Sequence, residues 1–307
     1  MDTRTAQGYA AATLQSLVIG FSFMFVVLAL RSSQPLDLLS WRFAVAFVGA
    51  SVPLALGLWR PGIGWRDLPP IVLAGLLYPV SFFAFQVWGL VYITSSEAGI
   101  IQACIPIFTL VLARVFLAER TTLVQNGFVV LSVAGVALIF AMNGLGVEGY
   151  DFRGLALILG STLSIAAYNV LARKMTRRYT PFTLTYVMTG LGFLVFMGAS
   201  LGVRAAEGSL AGLFSPWSDP EFALSVLYLG VLSSLGTSFL AVYSLARLEA
   251  YKVSVFGNLA IVVSVLAGFA FLGETLYWYH GVGVVAVLVG VAATGYFGQP
   301  RHRGAAD

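Results

Sequence analysis

FLAER, Phe116 to Arg120, and FLGET, Phe271 to Thr275, are one phrase written twice. Their reading decides the fold, because the repetition keeps its register beyond the phrase. Glu119 and Glu274 stand 155 residues apart, and Gly135-Val136-Ala137 recurs at the same spacing as Gly290-Val291-Ala292. A match that survives a loop and continues into the next segment marks a duplicated unit. Nearer the start it weakens: Leu28-Ala29 and Leu171-Ala172 are 143 apart, and loop lengths absorb the difference. The chain divides into halves of about 1–148 and 149–307.

Composition says where such a chain lives. Of 307 residues, 59% are hydrophobic and 10% charged, against roughly 25% charged in a soluble domain. A helix needs about 20 predominantly apolar residues to cross the hydrocarbon core. Ten spans meet that measure: Tyr9–Leu30, Leu36–Leu58, Leu68–Leu90, Glu97–Phe116, Leu123–Met142, Phe152–Leu171, Phe182–Leu201, Phe222–Ala246, Val253–Leu272 and Leu276–Phe297. The short alternating segments of a β-barrel are not evident. The first span lacks a compact basic n-region and is longer than a signal-peptide h-region, so it is expected to be a retained helix. Cys104 falls in the fourth span as a small apolar filler.

Connections are short, so directions alternate and the positive-inside rule sets them. With the N-terminus inside, only Arg31, Arg42, Arg153 and Arg204 of the 17 basic residues fall outside. Both termini are expected to be cytoplasmic. Five crossings per half is an odd number, so the second half starts on the opposite side and is inverted relative to the first. The expected fold is an all-α integral membrane protein of ten transmembrane helices, two inverted five-helix repeats around a central cavity. Inverted repeats build alternating-access carriers, with the substrate site near the midplane where the halves meet. Glu119 then lies at the cytoplasmic edge and Glu274 at the external one.

With Phe-Leu-Ala-Glu-Arg closing the fourth span and Phe-Leu-Gly-Glu-Thr the ninth, the chain resembles the EamA family of the drug/metabolite transporter superfamily over essentially its whole length. Within that family it looks most like the YddG-type exporters of aromatic and other neutral amino acids. The resemblance implies a bacterial inner-membrane carrier that exports small metabolites. One departure stands out: the family's frequent Glu-Pro pair is replaced by Ile105-Pro106 in the fourth span and Ala260-Ile261 in the ninth.

Polar side chains in mid-span must face a partner helix or a water-filled cavity. Gln102 plus 155 falls one residue from Asn258, placing two carboxamides at nearly equivalent points of the halves. Each offers a donor and an acceptor, which suits a zwitterion. Tyr78, Ser81, Tyr168, Asn169, Ser234 and Thr237 complete the candidate cavity, the two tyrosines as an aromatic wall. The alternative for all of them is interhelical hydrogen bonding or packing. Pro79 and Pro106 are candidate kinks or hinges. Glu119 and Glu274, at helix C-termini where the macrodipole disfavours an anion, need compensating donors and are candidates for locking helix ends or gating. Ala286, Gly290 and Thr294 form a small-residue stripe for packing within the fold or a weak homo-oligomer contact; a monomer or weak homo-oligomer is expected.

Several classes are excluded or disfavoured. The sequence carries no phosphate loop, and its soluble segments are too short for a nucleotide-binding domain. Two histidines and one cysteine make no spaced zinc set, so no cofactor and no metal are expected. The basic run Arg173 to Arg178 abuts a span, where anionic lipid of the bilayer is the expected partner and nucleic acid is not. The thirteen acids fall at span ends or loops, which points to facilitated or weakly coupled transport rather than antiport through a buried carboxylate. Arg42, about a turn inside the second span, is the most embedded charge, and snorkelling to the interface is its expected behaviour. A multidrug or other metabolite exporter is the rival within transport; a membrane-embedded enzyme or a passive channel is the rival class.

Overall fold

A computed structural model describes residues 3–58, 62–105, 107–109, 111–112, 123–146, 152–175, 179–245, 247 and 259–297. They form helices throughout, labelled α1 (Thr3–Leu30), α2 (Pro35–Ala55), α3 (Leu68–Gly89), α4 (Ser95–Gln102), α5 (Leu123–Gly146), α6 (Phe152–Met175), α7 (Pro181–Ala206), α8 (220–245), α9 (Leu259–Leu272) and α10 (Trp278–Phe297). Each stands where the sequence expects a span. Five of them, α1, α2, α3, α6 and α7, are long and apolar enough to cross a membrane over their described lengths, while the apolar stretches of α5, α8, α9 and α10 are shorter. Large apolar side chains face outward around the bundle, among them Val130, Leu194, Phe239 and Val285. A soluble domain rarely exposes contiguous apolar surface on that scale.

Local chemistry starts these helices sharply. α4 opens with a capping box, in which the Glu97 amide donates to Thr94 Oγ1 (3.2 Å) and the Thr94 amide to Glu97 Oε2 (3.0 Å). The Thr183 amide donates to the N-cap Thr180 of α7, and the Glu221 amide to the N-cap Asp219 of α8; proline follows both caps. Proline suits that position because its missing N–H would be unpaired there anyway. α9 ends at Gly273, whose φ of 70° sends the chain back across the helix end.

The packing repeats itself under exchange of halves. α2 packs on α7, and α5 on α10. α1 packs on α8 and α9, while its counterpart α6 packs on α3 and α4. The α5–α10 seam joins equivalent residues: Ser132 Oγ donates to the Val287 carbonyl, 155 positions away. Gly135 and Gly290, also 155 apart, let the seam close. A Cβ on Gly135 would sit 2.8 Å from that of Ala286, and one on Gly290 would sit 2.7 Å from the Phe128 carbonyl. The small residues Ala286 and Gly290 therefore serve an intramolecular contact. Across α2 and α7, Phe43 stacks on Phe196 and Phe47 on Phe193.

The third helix of each half is unwound midway. α3 has a wide π turn over Leu76–Ser81, with Tyr78 at φ −144°, ψ 114° and a cis Tyr78-Pro79 bond. α8 has one over Tyr228–Gly236. Shifted by 155 residues, the first lies inside the second. A proline with no N–H explains the break in α3; in α8 Gly230 and Gly236 bracket the loosened stretch. Backbone irregularity at membrane depth is tolerated where protein or a water-filled cavity satisfies it.

Candidate functional site

The two unwound segments border one cavity of about 190 Å3. Phe43 of α2, Tyr78, Pro79 and Phe83 of α3, Tyr168 of α6, Leu184, Thr185, Met188 and Thr189 of α7, and Ser234 of α8 line it. Tyr78 is the hub of its aromatic wall, with Phe83 and Tyr168 at ring-centroid distances of 5.5 and 5.1 Å. On the hydroxyl side, Ser234 donates to the Leu229 carbonyl and Thr189 to the Thr185 carbonyl. The mixture of flat rings and a few hydroxyls can hold a compact amphipathic solute.

Arg42 stands directly behind this wall. It is 2% exposed, its guanidinium lies 4.0 Å from the Phe83 ring centroid, and Nη2 donates to Ser233 Oγ at 3.3 Å. Snorkelling does not describe it: the side chain turns inward, because the unwound α8 offers a hydroxyl and α3 an aromatic face.

Of the residues expected at a cavity, Tyr78, Tyr168, Ser234 and the candidate hinge Pro79 are on its lining. Gln102 is held elsewhere, in a chain across α3, α4 and α6. Gln86 Nε2 donates to its Oε1 (3.4 Å), and its Nε2 donates to Ser161 Oγ (3.3 Å). Thr237 donates to the Ser233 carbonyl. Ser81 and Asn169 are half-buried and off the lining. Asn258, Pro106 and Glu119 lie outside the described residues.

Thr185 and Thr189 were not anticipated; their i, i+4 spacing on the seventh span was the available signal. Among the described residues, no three His, Cys, Asp or Glu side chains gather as a metal site.

Glu274, at the turn after α9, caps the N-terminus of α4. Its Oε1 accepts from the amide and hydroxyl of Ser95, both at 2.7 Å, and its Oε2 from the amide and hydroxyl of Ser96. A carboxylate unfavourable at the end of its own helix is thus stabilised at the start of another, where free amides and the positive end of the dipole meet it. Ser264 of α9 adds a bond from its hydroxyl to the Ser95 carbonyl. Nearby, Arg204 and Ser200 of α7 both donate to Asp37 of α2, and Arg31 pairs with Glu221.

Duplicated five-helix halves, mirrored contacts and a mid-bundle cavity define a multi-pass membrane transporter of inverted-repeat design. The chain matches the EamA-like transporter family twice, over residues 6–141 and 152–296, and belongs to it. The family's members are transporters, so the chain is not an enzyme. It is 49% identical over 286 residues to "Uncharacterized transporter YcxC" of Bacillus subtilis (strain 168), covering 93% of this chain and 92% of that protein. It is 27% identical to a "Probable terminal-alkyne amino-acid exporter" of Streptantibioticus cattleyicolor, covering 76% of this chain and 74% of the relative. A solved crystal structure shares the fold at a TM-score of 0.60 and 18% identity, covering 92% of this chain and 96% of the other.

Proposed function

We propose that this transporter is a bacterial inner-membrane secondary carrier that exports aromatic and neutral amino acids or closely similar metabolites by alternating access, facilitated or weakly coupled. The observation that carries this reading is the cavity between the two unwound segments, with Tyr78, Phe83 and Tyr168 on one side and Thr185, Thr189 and Ser234 on another. Its volume of about 190 Å3 falls below the roughly 300–1,000 Å3 of pockets for drug-sized ligands, which favours a single small metabolite over multidrug export. The relative described as a "Probable terminal-alkyne amino-acid exporter" supports the same direction.

The repeat units are taken as 1–148 and 149–307, with both termini cytoplasmic and Glu274 at the external face. Ser81, Gln102, Asn169, Thr237 and Asn258 complete the substrate path as the halves rock, and Pro79, Pro106, Glu119 and Glu274 act at its hinges and gates. Counterflow tests the reading: labelled phenylalanine, tryptophan or threonine is offered to proteoliposomes preloaded with the unlabelled compound, at equal pH on both sides. Saturable accumulation, reduced in Tyr78→Ala and Tyr168→Ala variants that still fold, is the expected result. Absence of counterflow from folded protein would remove amino acids as cargo.

A further inference from the structure

We infer that Arg42 is the anion-recognition group of the cavity, and that the substrate is a carboxylate carried on an aromatic or apolar body. The inference deepens the carrier reading above and rests on it for the word substrate. It begins from a charge that the fold buries without a counter-ion among the described residues. All seven described acids are engaged elsewhere. Asp37 binds Arg204 and Ser200, and Asp67 accepts from Tyr179. Glu97 closes the α4 capping box, Glu207 bonds Ser209, and Asp219 caps α8. Glu221 pairs with Arg31, and Glu274 holds Ser95 and Ser96.

Arg42 has in their place one serine hydroxyl and one aromatic face, and its buried Nε has no hydrogen-bond partner among the described residues. A guanidinium offers five N–H donors in a planar fork and stays charged. Out of water, such an ion calls for an opposite charge.

Position makes the missing partner a ligand. Phe83, which the guanidinium covers, lines the cavity, as does Phe43 next along the chain and Ser234 beside the bonded Ser233. Tyr78, at the centre of the aromatic wall, packs at 5.5 Å between ring centroids on the same Phe83 that the guanidinium covers. An arriving carboxylate can take the unused fork donors in bidentate geometry, while its organic body rests against Tyr78 and Tyr168. The cationic wall disfavours lipophilic amines, which have the right body and the wrong charge.

The test measures binding and transport separately on the intact purified protein. Thermal stabilisation in detergent is recorded with phenylalanine, with phenylpyruvate, which keeps the carboxylate and loses the amine, with phenylalaninamide, and with phenethylamine. The two carboxylates are expected to stabilise the wild type at concentrations about tenfold or more below the other two, the factor for a charge-assisted bond. Arg42→Gln is expected to erase that preference, and Arg42→Lys to keep part of it. The acid-against-amide contrast in the wild type needs no variant, so it decides even if Arg42→Gln fails to fold. Equal stabilisation by acid and amide, or none by either carboxylate, would overturn the inference. Carboxylate-selective binding without counterflow would leave Arg42 in its role and overturn the carrier reading instead.

Discussion

Among the described residues, the two ends of the bundle are fastened by different chemistry. At the Glu274 end, a carboxylate from one half grips two amides and two hydroxyls of the other, with Asp37–Arg204 and Arg31–Glu221 beside it. At the opposite end, the α3 entry meets the α6–α7 turn through a neutral hydroxyl, Tyr179 Oη donating to Asp67 Oδ1 at 2.6 Å. It sits over an apolar cluster of Ile71, Ala74, Met175, Leu184 and Met188. The repeat copies the glutamate and leaves its receptors uncopied. At the 155 offset, Ser95 and Ser96 correspond to Ala250 and Tyr251, so the same hydroxyl-rich cap is not written twice. An inverted repeat duplicates a backbone plan without obliging the side chains of its two copies to match.

Removing Glu274 should break this comparison most strongly. Glu274→Ala leaves the α4 amides without their acceptor and is expected to lower stability by about 2–4 kcal/mol, since bonds to charged groups count for more than neutral ones and add imperfectly. Thermal unfolding in detergent measures it. The same variant should speed thiol labelling of Ser96→Cys if the cap is also a gate, and unchanged labelling would reduce the contact to a purely structural one.

Tyr179→Phe, at the other end, deletes a single hydroxyl and should cost about 0.5–1.5 kcal/mol, read from the same unfolding curves. A loss equal to that of Glu274→Ala would dissolve the contrast between the ends.

The smallest effect concerns acid. Ser32 and the Glu221 and Phe222 amides hold the Asp219 carboxyl, at the Glu274 end, below the usual carboxylate range. A carboxyl lowered on folding contributes stability that is present above its unfolded value and lost as pH falls through the folded one. Unfolding midpoints should therefore drift down slightly on acidification below about pH 4, the ordinary aspartate value. Asp219→Asn should show a smaller drift than the wild type.

Much of the fold was legible because its signals are local. Length and apolarity marked each span, and the doubled Phe-Leu-x-Glu phrase with its doubled Gly-Val-Ala gave the duplication. The odd number of spans per half supplied the inversion. The site was legible only in part. Tyr78, Pro79, Tyr168 and Ser234 could be picked as mid-span polar, aromatic or helix-breaking residues, and they line the cavity. Gln102 carried the same signal and is bonded between Gln86 and Ser161; a carboxamide at mid-span serves either purpose. Arg42 read as an interfacial charge because its inward direction depends on α3 and α8, which arrive 41 and 191 positions later as Phe83 and Ser233.

The sequence by itself determined that this chain is a ten-span membrane protein built from two inverted copies, because hydrophobic length, charge placement and internal repetition can each be counted along one dimension. Tertiary structure alone decided which polar groups face a cavity, which carboxylate caps which helix, and that a buried arginine stands behind the aromatic wall. Those outcomes depend on rotation about each helix axis and on partners far away in the chain, and in a span apolar on every side no periodicity records which face turns inward.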